Sequence, residues 1–153
     1  MDTNVVINAL FHSDRHAQRL LSSIVRNEIR LVISEAIAVE YSDIIMLHAA
    51  KAGLTFEQTK KAHWKFIKIL LNGKLVYPQI KLTVSTDPEE NKFFECAHEA
   101  DVTVIITQDS DIGAVKQAST RTGKMIKVYS PGNFSGNSKT INSNIGYPAA
   151  RTW

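Results

Sequence analysis

The sequence predicts an α/β fold, a three-layer α/β/α sandwich with a central, mainly parallel sheet. Three observations point there. Short β-branched runs alternate with longer stretches of helical spacing, the order that gives parallel strands covered by helices on both faces. The clearest buried strand, residues 102–107, reads Val-Thr-Val-Ile-Ile-Thr without a polar alternation. The 153 residues suffice for one domain with an adequate core, and no repeat or low-complexity linker divides them.

Taken in order, residues 4–11 and 16–25 carry the apolar spacing of two helices, with Ser13 or Asp14 available to cap the second. Residues 29–33 read as a short buried strand. Ser34 then suits the N-cap of a helix whose inward positions include Ile37, Ala38, Tyr41, Ile44, Ile45 and His48. Gly53 stops it, and Thr55 opens a helix over residues 56–71 that Gly73 ends. Phe56, His63, Phe66, Ile67 and Leu70 share one face of that helix, while Lys61, Lys65 and Lys68 project elsewhere at i, i+4, i+7. Residues 76–77 and 82–84 are weaker strand candidates. Asp87 suits the cap of a helix with Pro88 in its first turn and Phe93, Phe94 and Ala97 inward. Residues 112–118 read as a short helix and residues 125–129 as a last strand. From Ser130 the chain is rich in Gly, Ser and Asn. The single domain is therefore expected over residues 1–134, with a polar tail, extended or disordered, over 135–153 in which Tyr147, Pro148 and Trp153 could dock.

Composition excludes several classes. With 44% hydrophobic and 22% charged residues the chain is globular rather than disordered. Its apolar runs fall far short of the roughly 18 residues of a membrane span, and no signal-peptide pattern opens it. The single cysteine, Cys96, excludes an internal disulfide and a cysteine-based zinc cage, and its neighbours mark it as core. A soluble, cytoplasmic protein is expected. The net charge of +3 is unevenly spread: residues 44–86 carry seven lysines against Glu57, and residues 87–111 carry eight acids against Lys92. Both could be solvated faces. They could also be a basic surface for a polyanion beside a carboxylate cluster that holds a cation.

The acids fall where strands end or helices start: Asp2; Glu40; Asp87, Glu89 and Glu90; Asp109 and Asp111. Singly, each has an ordinary explanation as a cap, a dipole partner or a turn residue. Jointly, that explanation weakens. Two carboxylates about 5 Å apart at an effective dielectric near 20 repel by roughly 3 kcal/mol. Several at one sheet edge need a compensating cation, and an all-oxygen set selects Mg²⁺ or Mn²⁺. Thr3, Asn4 and Thr107 add neutral oxygens or donors at the same edge, unless they serve only local caps and turns. The five histidines are scattered, and none is assigned to catalysis.

The run Asp2-Thr3-Asn4, then Ser34 through Glu40, then Asp87-Pro88-Glu89-Glu90-Asn91-Lys92-Phe93, then Thr107-Gln108-Asp109-Ser110-Asp111-Ile112 resembles the PIN domain family, in its stand-alone bacterial and archaeal form. Ser130-Pro131 followed by Phe134 resembles its short C-terminal motif. The resemblance implies a metal-dependent ribonuclease, often the toxin half of a toxin–antitoxin pair, and makes a homodimer plausible. It implies Asp2, Glu40, Glu90 and Asp109 as the core catalytic and metal-binding acids and Asp111 as an accessory one, with Asp87 and Glu89 as caps or outer groups. Three departures stand out. Glu90 replaces the usual Asp, and Gln108 replaces the usual Gly. Only Met1 precedes Asp2, where members carry an apolar central strand, so a shortened start or another segment in the middle of the sheet is expected.

The resulting reading is a ribonuclease that uses Mg²⁺ or Mn²⁺ to hydrolyse RNA. Lys60, Lys61, Lys65 and Lys68 would hold the phosphate backbone, and Trp64 would either stack on a base or pack on its helix. Its rivals are a non-catalytic module of the same fold that binds RNA or protein, and an aspartyl phosphoacceptor domain using Lys124 or Lys127.

Overall fold

Each of the first four helices begins on a short polar side chain that accepts a backbone N–H. Asp2 caps α1 (Thr3–Phe11). Asp14 caps α2 (Arg15–Val25), accepting from His16 and Ala17, while Ser13 makes the turn with φ 55°. Ser34, the last residue of β1 (Val32–Ser34), caps α3 (Glu35–Lys51). Thr55 opens α4 (Phe56–Leu71) in a reciprocal capping box with Gln58. Strand β2 (Lys74–Val76) follows, then a 3-10 turn (Pro88–Glu90) capped by Asp87 that leads into α5 (Asn91–Glu99). The chain continues through β3 (Val104–Ile106), α6 (Ser110–Ala114) and β4 (Lys127–Tyr129). This computed structural model describes residues 1–134; the expected tail, with Tyr147, Pro148 and Trp153, lies outside the described residues.

The fold is mixed α/β with parallel strand pairing. Strand β1 pairs with β2, Ile33 opposite Leu75, and β3 pairs with β4, Ile105 opposite Val128. The expectation of one central sheet is corrected here: the pairs form two separate two-stranded sheets. Between them runs a slot of about 590 Å³, walled by residues 28–32 on one side and 101–106 on the other, with Leu20, Ile24, Phe93 and Ala97 reaching in from the helices. Met1 lines it and is not part of a strand. The Asp2 N–H donates to the Ile106 carbonyl at 2.8 Å, and the Tyr41 hydroxyl donates to the Met1 carbonyl. Burial lowers the pKa of the Met1 amine.

Two apolar clusters hold the elements. In one, Tyr41 and Ile45 of α3 meet Phe66 of α4 and Phe93 and Phe94 of α5, with the Tyr41 and Phe66 rings edge to face at 5.8 Å. In the other, Val5, Leu20, Leu21 and Ile24 of the first two helices pack on Ile106 and Phe134. Residues 131–134 form a helical turn in which the Phe134 N–H reaches the Ser130 carbonyl.

Several sequence expectations need correction. Phe56 is not inward; as the first residue of α4 it is 79% exposed. Residues 82–84 form no strand, because side chains of α5 take their backbone donors. Glu95 accepts from Leu82 at 3.1 Å, and Asn91 Oδ1 accepts from both Val84 and Ser85 at 2.9 Å. The helix read at residues 112–118 runs instead over Ser110–Ala114, since Asp109 caps it early and Val115 is extended. Strands β1, β3 and β4 are shorter than the runs read for them, and β2 lies at Lys74–Val76 rather than at residues 76–77.

Asn91 is buried and holds two amides of the loop that leads to Asp87–Glu90. Asn91→Ala strands both donors and is expected to cost about 2 kcal/mol, read as a lower urea midpoint with an unchanged slope.

Candidate active site

The site is assembled from the beginnings of helices. Asp2 sits ahead of α1, buried to 2% exposure, with its Oδ1 accepting from the Asn4 N–H at 3.2 Å and its Oδ2 accepting from the Thr107 hydroxyl at 2.9 Å. Asp109 follows β3 and caps α6, accepting from Asp111 and Ile112. The same Thr107 oxygen accepts the Asp109 N–H at 2.8 Å. One hydroxyl thus fixes both acids, although Asp2 and Thr107 are 105 residues apart. Gln108 tightens this corner, bonding Asn8 of α1 and the Asp14 carboxylate at 2.8 Å. The departure from Gly therefore has a use: its side chain ties the loop after β3 to the first two helices.

Glu40 comes from the first turns of α3 and uses both oxygens. One accepts the Thr3 hydroxyl, and the other is ion-paired with the ammonium of Lys92 on α5. Glu90 ends the 3-10 turn; its Oε2 is buried and has no hydrogen-bond partner among the described residues. Burial, reinforced by the charge of Asp2 and more weakly by Asp109 and Glu40, pushes the Glu90 pKa from 4.5 to about 7, against the pull of Lys92. Burial likewise raises the pKa of Asp2, with a small push from Asp109, while its bonds to Thr107 and Asn4 oppose the rise. Asp2, Glu40, Glu90 and Asp109 therefore share one electrostatic neighbourhood.

The other residues singled out from the sequence contribute differently. Asn4 is exposed and offers Asp2 its backbone amide. Asp111 is exposed, and its backbone amide donates to Asp109. Asp87 and Glu89 are exposed, the former capping the turn through the latter's N–H. Lys60, Lys61, Lys65 and Lys68 are exposed along α4, with Trp64 between them 54% exposed, and none of the four lysines is in an ion pair among the described residues. Lys65 and Lys68 line, with Arg26, a shallow groove between α2 and α4. Lys124 is held by Asp101 at 3.3 Å. Lys92 was visible in the sequence only as the lone base in an acidic stretch; its reach to Glu40 was not, because the two are 52 positions apart.

The all-oxygen donor set, with a buried Glu90 oxygen lacking a partner, fits a hard divalent cation by its chemistry. As the side chains stand, no three His, Cys, Asp or Glu among the described residues are grouped to hold a metal ion. No helix among them is long and apolar enough to cross a membrane.

Acids drawn from several helix starts on a parallel α/β scaffold are an arrangement suited to phosphodiester chemistry. The family model for the PIN domain matches residues 1–111, a stretch that contains all four acidic motifs, and the chain belongs to that family, which is generally one of nucleases. No curated protein and no solved structure matches the chain.

The raised Glu90 pKa has a defined consequence. The folded protein keeps a proton on Glu90 that the unfolded chain gives up near 4.5, so this group's contribution to stability falls as pH rises through about 7. Glu90→Gln cannot lose that proton. Its unfolding free energy is expected to exceed that of the wild type by about 1 kcal/mol near pH 8, after allowing for solvent screening, with the gap closing near pH 4.5. Thermal or urea unfolding of both proteins across that range checks it.

Proposed function

We propose that the chain is a metal-dependent endoribonuclease that hydrolyses RNA phosphodiester bonds using Mg²⁺ or Mn²⁺. The reading is supported by one threonine hydroxyl that bonds both the Asp2 carboxylate and the Asp109 backbone N–H, and by a buried Glu90 oxygen that has no partner among the described residues. A protein that only needed caps and turns would have little reason to bury Asp2 and leave a buried Glu90 oxygen without a partner. Asp2, Glu40, Glu90 and Asp109 would hold the ion, with Asp111 assisting. When bound, the ion would supply an activated water and offset charge on the phosphate. Thr107 keeps Asp2 and Asp109 in register, Thr3 orients Glu40, and the lysines of α4 bind the phosphate backbone. A toxin role, an antitoxin partner and a homodimer enter the proposal through the family resemblance.

A second reading, a catalytically silent module that binds RNA or protein, is favoured by one observation: Lys92 neutralises Glu40, and three acids do not converge on a point. Cleavage assays on RNA and DNA separate the two. The nuclease reading expects RNA cleavage that needs added Mn²⁺ or Mg²⁺, stops with a chelator, and falls by at least about 100-fold in Asp109→Asn. Absence of metal-stimulated cleavage by the folded protein on every substrate overturns it in favour of the binder. Replacing the α4 lysines with Ala should make the log–log salt dependence of RNA binding shallower by about 0.7 per lysine that contacts phosphate.

A further inference from the structure

Lys92 is the one lysine or arginine among the eight acids of residues 87–111, and it stands in the first turn of α5, where the helix dipole disfavours a cation. Its side chain is nevertheless drawn inward, 17% exposed, with the ammonium 5.4 Å from the centre of the Phe93 ring and paired with Glu40, itself 27% exposed. A long, strongly hydrated side chain gives up solvent to reach a carboxylate on another helix. With Thr3 on its other oxygen, Glu40 is engaged at both.

Resting on the metal-dependent reading above, we propose that Lys92 is a resident counter-cation: a positioning residue whose ammonium occupies a Glu40 oxygen and competes with the divalent ion for it. An ammonium and a divalent ion cannot share one carboxylate oxygen without strong like-charge repulsion. Loading the ion therefore requires Lys92 to release Glu40, and the metal affinity of the protein is set in part by that exchange. Glu40 changes partners; Asp2 and Asp109, fixed by Thr107, do not.

Calorimetric titration of the full chain, freed of metal, with Mn²⁺ alone tests this. Lys92→Met keeps the apolar stem without the charge and should bind Mn²⁺ about tenfold tighter than the wild type. Lys92→Arg, which keeps the charge, should stay near the wild type. In a Glu40→Gln background Lys92→Met should leave Mn²⁺ affinity nearly unchanged, whereas a general relief of positive charge would give the same gain in both backgrounds. Circular dichroism verifies folding, and Lys92→Gln replaces Lys92→Met should the latter fail to fold. If the wild type binds Mn²⁺ and a folded, charge-free Lys92 variant binds it equally or more weakly, the role of Lys92 is overturned while the metal-dependent reading stands. If neither binds Mn²⁺, both are overturned together.

Discussion

Carboxylates brought to one edge of a protein push each other apart, and here the hydroxyl of Thr107 holds two of them. It donates to Asp2 and accepts the backbone N–H of Asp109, so the carboxylate before the first helix and the one before α6 share a single oxygen as their reference point. The geometry is hard to replace. A serine could in principle make both bonds, but a valine of the same shape would leave Asp2 buried with one acceptor unserved and free the Asp109 amide. Parallel pairing of β3 with β4 places Thr107 there, because the Thr107 N–H continues the ladder onto the Tyr129 carbonyl at 2.9 Å.

Charge balance at that edge comes from inside the chain. The α4 lysines are exposed, whereas Lys92 is half-buried among the acids and bonded to one of them. The arrangement separates two duties of positive charge. A diffuse field from α4 can attract a polyanion over a Debye length of about 8–10 Å, while one short-range ammonium keeps the acid set tolerable as folded. The basic and acidic halves seen along the sequence thus belong to different elements, with the exception of this one residue.

How much could be read beforehand follows from the range of each interaction. Caps are local, so Asp2, Asp14, Ser34, Thr55, Asp87 and Asp109 announce their helices within three or four residues. Asp2, Glu90 and Asp109 stood out for the same reason, since each marks an element boundary, whereas Glu40 lies inside α3. Pairings across the chain left no such trace. Residues 82–84 have the composition of a strand, and only the distant Asn91 and Glu95 side chains decide otherwise. The face shared by Phe56 and Phe66 was a matter of helical period, but α4 begins beyond the core it packs on, so Phe66 is buried and Phe56 is not. Division into two sheets was equally hidden, because a strand's sequence states that it pairs without stating with how many neighbours.

The slot between the two strand pairs makes each pair part of the other's packing. Residues at and before β1, residues at and before β3, and Leu20, Ile24, Phe93 and Ala97 of the helices wall the same space. A larger side chain placed there would press on both pairs at once, so the two sheets answer to one packing constraint although no ladder joins them among the described residues.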